Sequence, residues 1–407
     1  MHSILRKVAT CLALILLATW YASSHFYRDP GSAFFDPARA YEQKYSHFRK
    51  DEVQKFIGSD GQRNHGGLAR QLDRNATLCV AFSSVRRQHE QYLETTVASM
   101  LHGLTPRERS DLHIAVLIAQ TNPDTHPAWH SKWLRGAVDN LYTYNITAEG
   151  KSRLLTLEQA GAYAEKGIFD YTYAMQRCYD SGAPYVGMFE DDILMADGWL
   201  VRTLLGLQSI PAVEEWLFMR LFNQERSTGW SNTSIGGNNE HWIILGAGVV
   251  ISMLAVLARQ RWWWARKYVD LESVGVLVLL LVPAMVVLFF QSGKASLLPP
   301  TPGVYDQPYG CCSQAMIFPR VQMPKIIDFL RAKNEGQVDL FLDELAVRAG
   351  LKRYALYPVQ AQHIGLDSAR ATLLKEAQAI WSMAFEDLNP IKLRREHGEM
   401  VQRYFGG

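Results

Sequence analysis

Glu190, Asp191 and Asp192 follow directly on an apolar run, Val186-Gly187-Met188-Phe189, and this junction is the clearest chemical signal in the chain. Carboxylates at the C-terminal end of a strand lie where open α/β sheets bind ligands. Neighbouring acids repel one another unless a cation neutralises them, and oxygen ligands suit Mg2+ or Mn2+. Such an ion would bridge a diphosphate and stabilise the negative charge that develops as it leaves. The same triplet also reads as a solvated acidic turn that holds no ligand. Ser83-Ser84-Val85-Arg86-Arg87 closes an earlier β-prone run, and its arginines suit either a phosphate or a plain solvated strand exit. His363 stands alone in a loop after Tyr357-Pro358, the usual setting of a surface or core histidine. Asp339, Asp343 and Glu344 read as acids on a helix surface, and Asp339 also as an N-cap.

Other signatures are missing. Ser292-Gly293-Lys294 lacks the first glycine of a phosphate-binding loop, and no nucleophile elbow of the GxSxG type occurs. Gly246-Ala247-Gly248 lies inside an apolar span, where helix packing explains it better than a dinucleotide site. The cysteine spacing does not suit zinc. The chain carries 42 basic and 40 acidic residues, without a basic stripe of interleaved aromatics, so no nucleic-acid partner is expected.

The elements that must position these groups alternate. Residues 78–85, 112–119, 141–144, 185–189, 215–221 and 313–318 read as strands. Residues 89–101, 152–178 (with a break near Gly167), 324–332 and 340–349 read as helices. This alternation predicts an α/β domain with a mainly parallel sheet.

Two apolar runs, 241–258 and 273–290, interrupt that domain, and each is long enough to cross a bilayer. Between them, residues 259–272 form a basic, aromatic-rich turn containing Arg259, Arg261, Trp262, Trp263, Trp264, Arg266 and Lys267, as expected at a cytosolic membrane face. A third apolar stretch, 8–21, follows Arg6 and Lys7; it reads as a cleaved signal peptide or, favoured by bulky Trp20, Tyr21, His25 and Phe26 where a cleavage site would need small residues, as an uncleaved anchor with a cytosolic N-terminus. The resulting organisation is a tail and anchor at 1–22, a luminal stem at 23–75 and a first catalytic part at 76–240. A transmembrane hairpin follows at 241–291, and a second catalytic part at 292–407. The sequons at Asn75, Asn145 and Asn232 all fall in the luminal segments. Cys79, Cys178, Cys311 and Cys312 allow three pairings. A bond between the adjacent Cys311 and Cys312 requires strain, so separate partners are expected.

With these pieces together, a resemblance emerges. The strand ending in Glu190-Asp191-Asp192, with Ser83-Ser84-Val85-Arg86-Arg87 at the end of an earlier strand, resembles the luminal sugar-nucleotide transferases of the GT-A fold. Gln362-His363-Ile364-Gly365-Leu366-Asp367-Ser368 resembles the late histidine motif of the branch-forming N-glycan GlcNAc-transferases. An N-terminal anchor plus an apolar hairpin inside such a domain is similar, over nearly the whole chain, to the post-GPI-attachment N-acetylgalactosaminyltransferases. The resemblance implies a GT-A-like, mainly parallel α/β sheet split by a two-helix transmembrane hairpin. It implies a multi-pass Golgi membrane enzyme, catalytic domain luminal, moving GalNAc with inversion from UDP-GalNAc to a mannose of the GPI-anchor glycan. It further implies Asp192 and His363 as Mn2+ ligands, a neutral imidazole suiting that ion. Ser83, Val85, Arg86, Glu190, Asp191 and Asp192 would meet the donor. Asp339, in Gly336-Gln337-Val338-Asp339-Leu340, fits the general base. Glu190 stands where many relatives of the fold have Asp, which shifts the metal role to Asp192 and leaves Asp191 near the donor sugar or ribose. The competing expectations are a GlcNAc- or other UDP-sugar transferase acting on N-glycans, and a non-catalytic membrane scaffold.

Overall fold

Alternation along the first β-prone run decides the layering. In β1 (Leu78–Ser84), Leu78, Val80 and Phe82 turn to one layer of the core and Cys79 and Ala81 to the other, all fully buried. A strand buried on both faces needs near-continuous apolar sequence and helices above and below. The computed structural model describes residues 2–60, 76–231, 234–308, 310–367 and 374–406. It forms two compact units, Met1–Glu42 with Glu225–Pro300, and Gln43–Gln224 with Thr301–Gly407.

The second unit is mixed α/β. After β1 come β2 (Leu112–Ile118), β3 (Asn140–Tyr142), β4 (Tyr185–Phe189), β5 (Ile193–Met195), β6 (Trp216–Arg220), β7 (Gly303–Asp306), β8 (Ala315–Pro319), β9 (Lys352–Tyr357) and β10 (Ala361–His363). Eight of these form one sheet in the order β3-β2-β1-β4-β8-β6-β9-β7. The sheet is parallel from β3 to β4 and between β6 and β9. β8 runs antiparallel to β4 and β6, and β7 closes the edge antiparallel to β9. β5 and β10 form a separate antiparallel pair.

Crossover helices cover the parallel part. Leu93–Leu101 lays Leu93, Val97 and Met100 on one layer, and Tyr163–Ser181 lays Met175 and Cys178 on the other. The latter contact is covalent, because Cys79 and Cys178 form a disulfide with Cα atoms 5.5 Å apart. The helical run expected at 152–178 breaks before Gly167. Gly161, at φ 66°, takes the left-handed cap that ends Ala148–Ala160, and Gly167 lies inside the next helix. Gly187 lies where the sheet is tightest. A Cβ there would come within 3.1 Å of Val80 and 3.2 Å of Ile317.

The helix Tyr45–Asp60, from the segment read above as a stem, belongs to this unit. Tyr45 and Val53 join its core, and the fully buried Arg49 donates to the carbonyls of Met195, Ser99 and His102.

In the first unit, three helices are long and apolar enough to cross a membrane: Ser3–His25, Glu240–Arg261 and Leu271–Gln291, of 23, 22 and 21 residues. At about 1.5 Å per residue each reaches roughly 30 Å. In chain order the latter two fall between β6 and β7. The third contains a π turn at Leu277–Leu281 directly before Pro283. Proline cannot donate to the preceding turn and its ring crowds the carbonyl four residues back, which the wider turn accommodates. Lys7 Nζ lies 2.5 Å from Asp270 and 3.1 Å from Glu272, so the start of the first apolar helix and the turn between the other two share one end of this unit. At the other end, Ala33 N donates to Gln291 O at 2.7 Å and Ser296 N to Asp29 Oδ2 at 2.7 Å.

Candidate active site

β1 and β4 are parallel neighbours with Phe82 opposite Phe189, so Ser83-Ser84 and Glu190-Asp191-Asp192 emerge together at the same sheet edge. The β5–β10 pair then brings in a remote segment. His363 pairs with Ile193, and Ile364 N donates to the Asp192 carbonyl at 2.9 Å. His363 is therefore the last residue of a strand rather than part of a loop. Its Nε2 lies 3.4 Å from Asp192 Oδ2, and both residues are buried.

One cation beside these acids comes from the chain. Arg87 Nη2 donates to Asp191 Oδ1, and to Asp192 Oδ2 at 3.0 Å, while its Nη1 donates to the Asp367 carbonyl at 2.6 Å. Ser84 donates to Asp191 Oδ2 at 2.5 Å, and Ser84 Oγ lies 3.2 Å from Nε2 of the fully buried His126. Nδ1 of His126 accepts from Ala128 N, which leaves the proton on Nε2 to face Ser84. Burial holds this imidazole neutral, with its pKa pushed down to about 4. Asp367 Oδ2 accepts from His89 N and Glu90 N, and Tyr92 Oη accepts from Leu366 N and Asp367 N, so the loops after β1 and β10 clasp each other over the acids.

Gly365 makes the clasp possible. A Cβ at this position would come within 2.0 Å of Asp192 Oδ2. Burial opposes ionisation of Asp192, but His363 and then Arg87 outweigh it and hold the carboxyl below its ordinary range. Burial raises the neighbouring Asp191 despite Arg87. His363 is raised, because Asp192 more than offsets its own burial.

Asp192 Oδ1 is buried without a hydrogen-bond partner among the described residues. An orphaned oxygen on a carboxylate whose other oxygen lies 3.4 Å from an imidazole fits a divalent ion of the Mn2+ kind. Among the described residues no group of three or more His, Cys, Asp or Glu side chains is arranged around a metal position. An ion here would complete its shell with water or phosphate oxygens.

A second cluster adjoins Glu190. Its Oε1 accepts from Ser313 Oγ at 2.6 Å and its backbone N donates to Gln314 O at 2.9 Å. Asp339 is the second residue of the helix Val338–Ala349, whose N-cap is Gln337, so it does not serve as the cap. Instead its Oδ2 accepts from Cys312 N at 3.1 Å. Cys311 and Cys312 are bonded to each other, contrary to the separate partners expected above; Cys312 adopts φ 87°, which folds the backbone back between the two sulfurs. Asp343 pairs with Arg220 and Arg353, and Glu344 with Lys333 and Arg348, whereas Asp339 has no such cation among the described residues. The Tyr171 hydroxyl is buried without a partner among the described residues. Its pKa is pushed well up by burial and then by the charges of Glu190 and Asp339, which places all three side chains in one neighbourhood.

The remaining expected positions divide. Ser83 and Val85 are half-buried at the strand end, while Arg86 is exposed and Arg87 turns inward in its place. Asn145 is exposed, as a glycan acceptor must be. Asn75, Asn232 and Ser368 lie outside the described residues. Sequence reasoning did not single out Ser84, His126, Tyr171 or Gly365, and it named Arg86, whereas Arg87 is the arginine that meets the acids. The parity of β1 offered one signal, since Ser84 continues the Leu78–Val80–Phe82 row.

Comparison with known proteins adds two findings. A family model described as GPI-N-acetylgalactosamine transferase PGAP4 matches residues 78–360, which include the acidic triplet and Asp339 and stop just short of His363. The mouse (Mus musculus) alpha-1,3-mannosyl-glycoprotein 4-beta-N-acetylglucosaminyltransferase B is 25% identical over 155 residues, 35% of this chain. The chain spans only 28% of that relative's length.

Proposed function

The chain belongs to the GPI-N-acetylgalactosamine transferase family, and from that premise we propose that it moves GalNAc from UDP-GalNAc to a mannose of the GPI-anchor glycan, with inversion. The observation that carries this reading is the buried Asp192–His363 pair at the C-terminal end of β4, with Arg87 across it and one carboxylate oxygen unpartnered. Asp192 and His363 would hold Mn2+, which when bound neutralises the departing diphosphate. Arg87, through Asp191 and the Asp367 carbonyl, keeps the two loops closed over the donor. Ser83 and Val85 line the nucleotide side, and Asp191 faces the donor sugar or ribose.

Asp339 takes the proton from the acceptor hydroxyl as its oxygen bonds to the sugar carbon. The carbon–phosphate oxygen bond breaks, and UDP leaves with the electron pair. Among the described residues no cation forms an ion pair with Asp339, which supports this role over Asp343 or Glu344.

The protein is read as a multi-pass Golgi membrane enzyme of GT-A-like architecture, with its apolar hairpin inserted between two parts of one catalytic sheet. Arg6, Lys7 and the basic turn put one end of the spans in the cytosol and the catalytic residues in the lumen. The shared end made by Lys7, Asp270 and Glu272 supports that orientation.

The test is UDP release by the purified full chain, with Mn2+, from a panel of UDP-sugars offered with GPI glycan or N-glycan. Release is expected only with UDP-GalNAc and GPI glycan, falling about 100-fold in Asp192→Asn. Preference for UDP-GlcNAc and an N-glycan, the chemistry named in the mouse relative, would overturn the assignment. Undiminished biological function in Asp192→Asn would point to a scaffold.

A further inference from the structure

The first unit carries an open pocket of about 1040 Å³ at the end of the apolar helices away from Lys7. Its walls are the last turns of the first and third spans, the first turn of the second, and residues 294–298, with Tyr21, Phe289 and Leu297 contributing large surfaces. Aromatic residues at span ends mark the level where acyl chains meet headgroups. Among the described residues Lys294 is the only charged one in the lining. Its Nζ lies 3.3 Å from Ser234 Oγ and 5.6 Å from the centre of the Trp230 ring, with no carboxylate within ion-pair distance among the described residues. Trp230 Nε1 is buried and donates to nothing among the described residues. Lys294 thus brings a cation to a lining that is otherwise apolar but for Tyr21, Trp230, Ser234 and Ser292.

Beside a bilayer, an open pocket with so apolar a lining takes up hydrocarbon in preference to water. An unneutralised ammonium and an unpaired indole N–H call for an anionic oxygen at the head of that hydrocarbon. A zwitterionic lipid brings its own cation and leaves Lys294 unneutralised, whereas a phosphodiester carrying an uncharged inositol does not.

We propose that this chamber binds the phosphatidylinositol end of the lipid-linked acceptor, its phosphodiester at Lys294 and Trp230 and a hydrocarbon chain in the cavity. The inference rests on the acceptor class proposed above. Binding energy from the part of the substrate farthest from the reacting sugar is then available to the enzyme, and the acceptor is captured within the membrane plane at raised effective concentration.

The experiment uses the full chain in phosphatidylcholine nanodiscs doped with a phosphatidylinositol bearing a photoreactive acyl chain. Crosslinks are expected on peptides carrying Tyr21, Phe289 and Leu297. Unlabelled phosphatidylinositol should compete for them and phosphatidylcholine should not. Lys294→Glu should cut them about fivefold or more, the scale of a membrane-level basic contact. Ala18→Phe, which fills the cavity without changing charge, should cut them too, and Lys294→Arg should keep them. Absent labelling, equal competition by both lipids, or labelling unchanged in Lys294→Glu and Ala18→Phe would overturn the proposal. UDP release with GPI glycan freed from its lipid is measured in parallel. It should be unaffected by Lys294→Glu, which also verifies folding. Crosslinking reads the lipid site and UDP release reads the sugar-transfer assignment, so the two fail separately.

Discussion

At the residue scale, the Asp192–His363 contact predicts a specific pH signature. Asp192 is lowered in the folded state, so its contribution to stability exists above its unfolded value of about 3.9 and fades as pH falls from there. His363 is raised, so its contribution is complete below its unfolded value of about 6.5 and is lost as pH rises through the folded value. Both hold between roughly pH 4 and 6.5. With divalent ions chelated, the melting-temperature gap between the native chain and His363→Gln should be widest in that window and should shrink towards pH 9; a gap independent of pH would refute the ion pair. Gly365→Ala tests the clasp. The added methyl meets Asp192 Oδ2 at 2.0 Å, so sugar transfer should collapse for a stability cost of about 1–3 kcal/mol, read by UDP release beside thermal unfolding. Glu190-Asp191-Asp192 was legible as a site because an apolar strand running into acids is a local pattern. Arg87 was not, since only the clasp of two loops distant in sequence decides which of two adjacent arginines turns inward.

At the element scale, the long or strongly patterned pieces were readable. β1, β2, β4 and β8 follow from continuous apolar runs, and Val338–Ala349 from its helical spacing. β5 and β10, three residues each, carry too little alternation to announce themselves. They are the elements that join His363 to Asp192, so the site's closing step was the least visible part of the fold. Antiparallel β8 within a largely parallel sheet was equally hidden, because strand direction is set by the connections and not by composition. The Cys79–Cys178 bond spans 99 residues of sequence and ties β1 to the helix Tyr163–Ser181. Replacing both cysteines by alanine should cost about 2–5 kcal/mol, measured as a lowered unfolding midpoint in urea. An unchanged midpoint would mean that the two core layers hold β1 without it.

At the scale of the whole molecule, the basic turn and the first helix's start define one end of the membrane unit and Asn145 defines a surface of the other unit. In sealed microsomes with cytosolic side out, protease should cut within residues 262–268, while Asn145 should carry a glycan that endoglycosidase removes only after the vesicles are opened. Cleavage and deglycosylation from the same side would contradict the proposed topology. The pairing of β5 with β10 has a further bearing on biogenesis. The ribosome must thread all three apolar helices before it translates His363. A truncated or stalled product therefore lacks the partner of Asp192, and on the proposed mechanism codon order alone keeps the unfinished chain inactive.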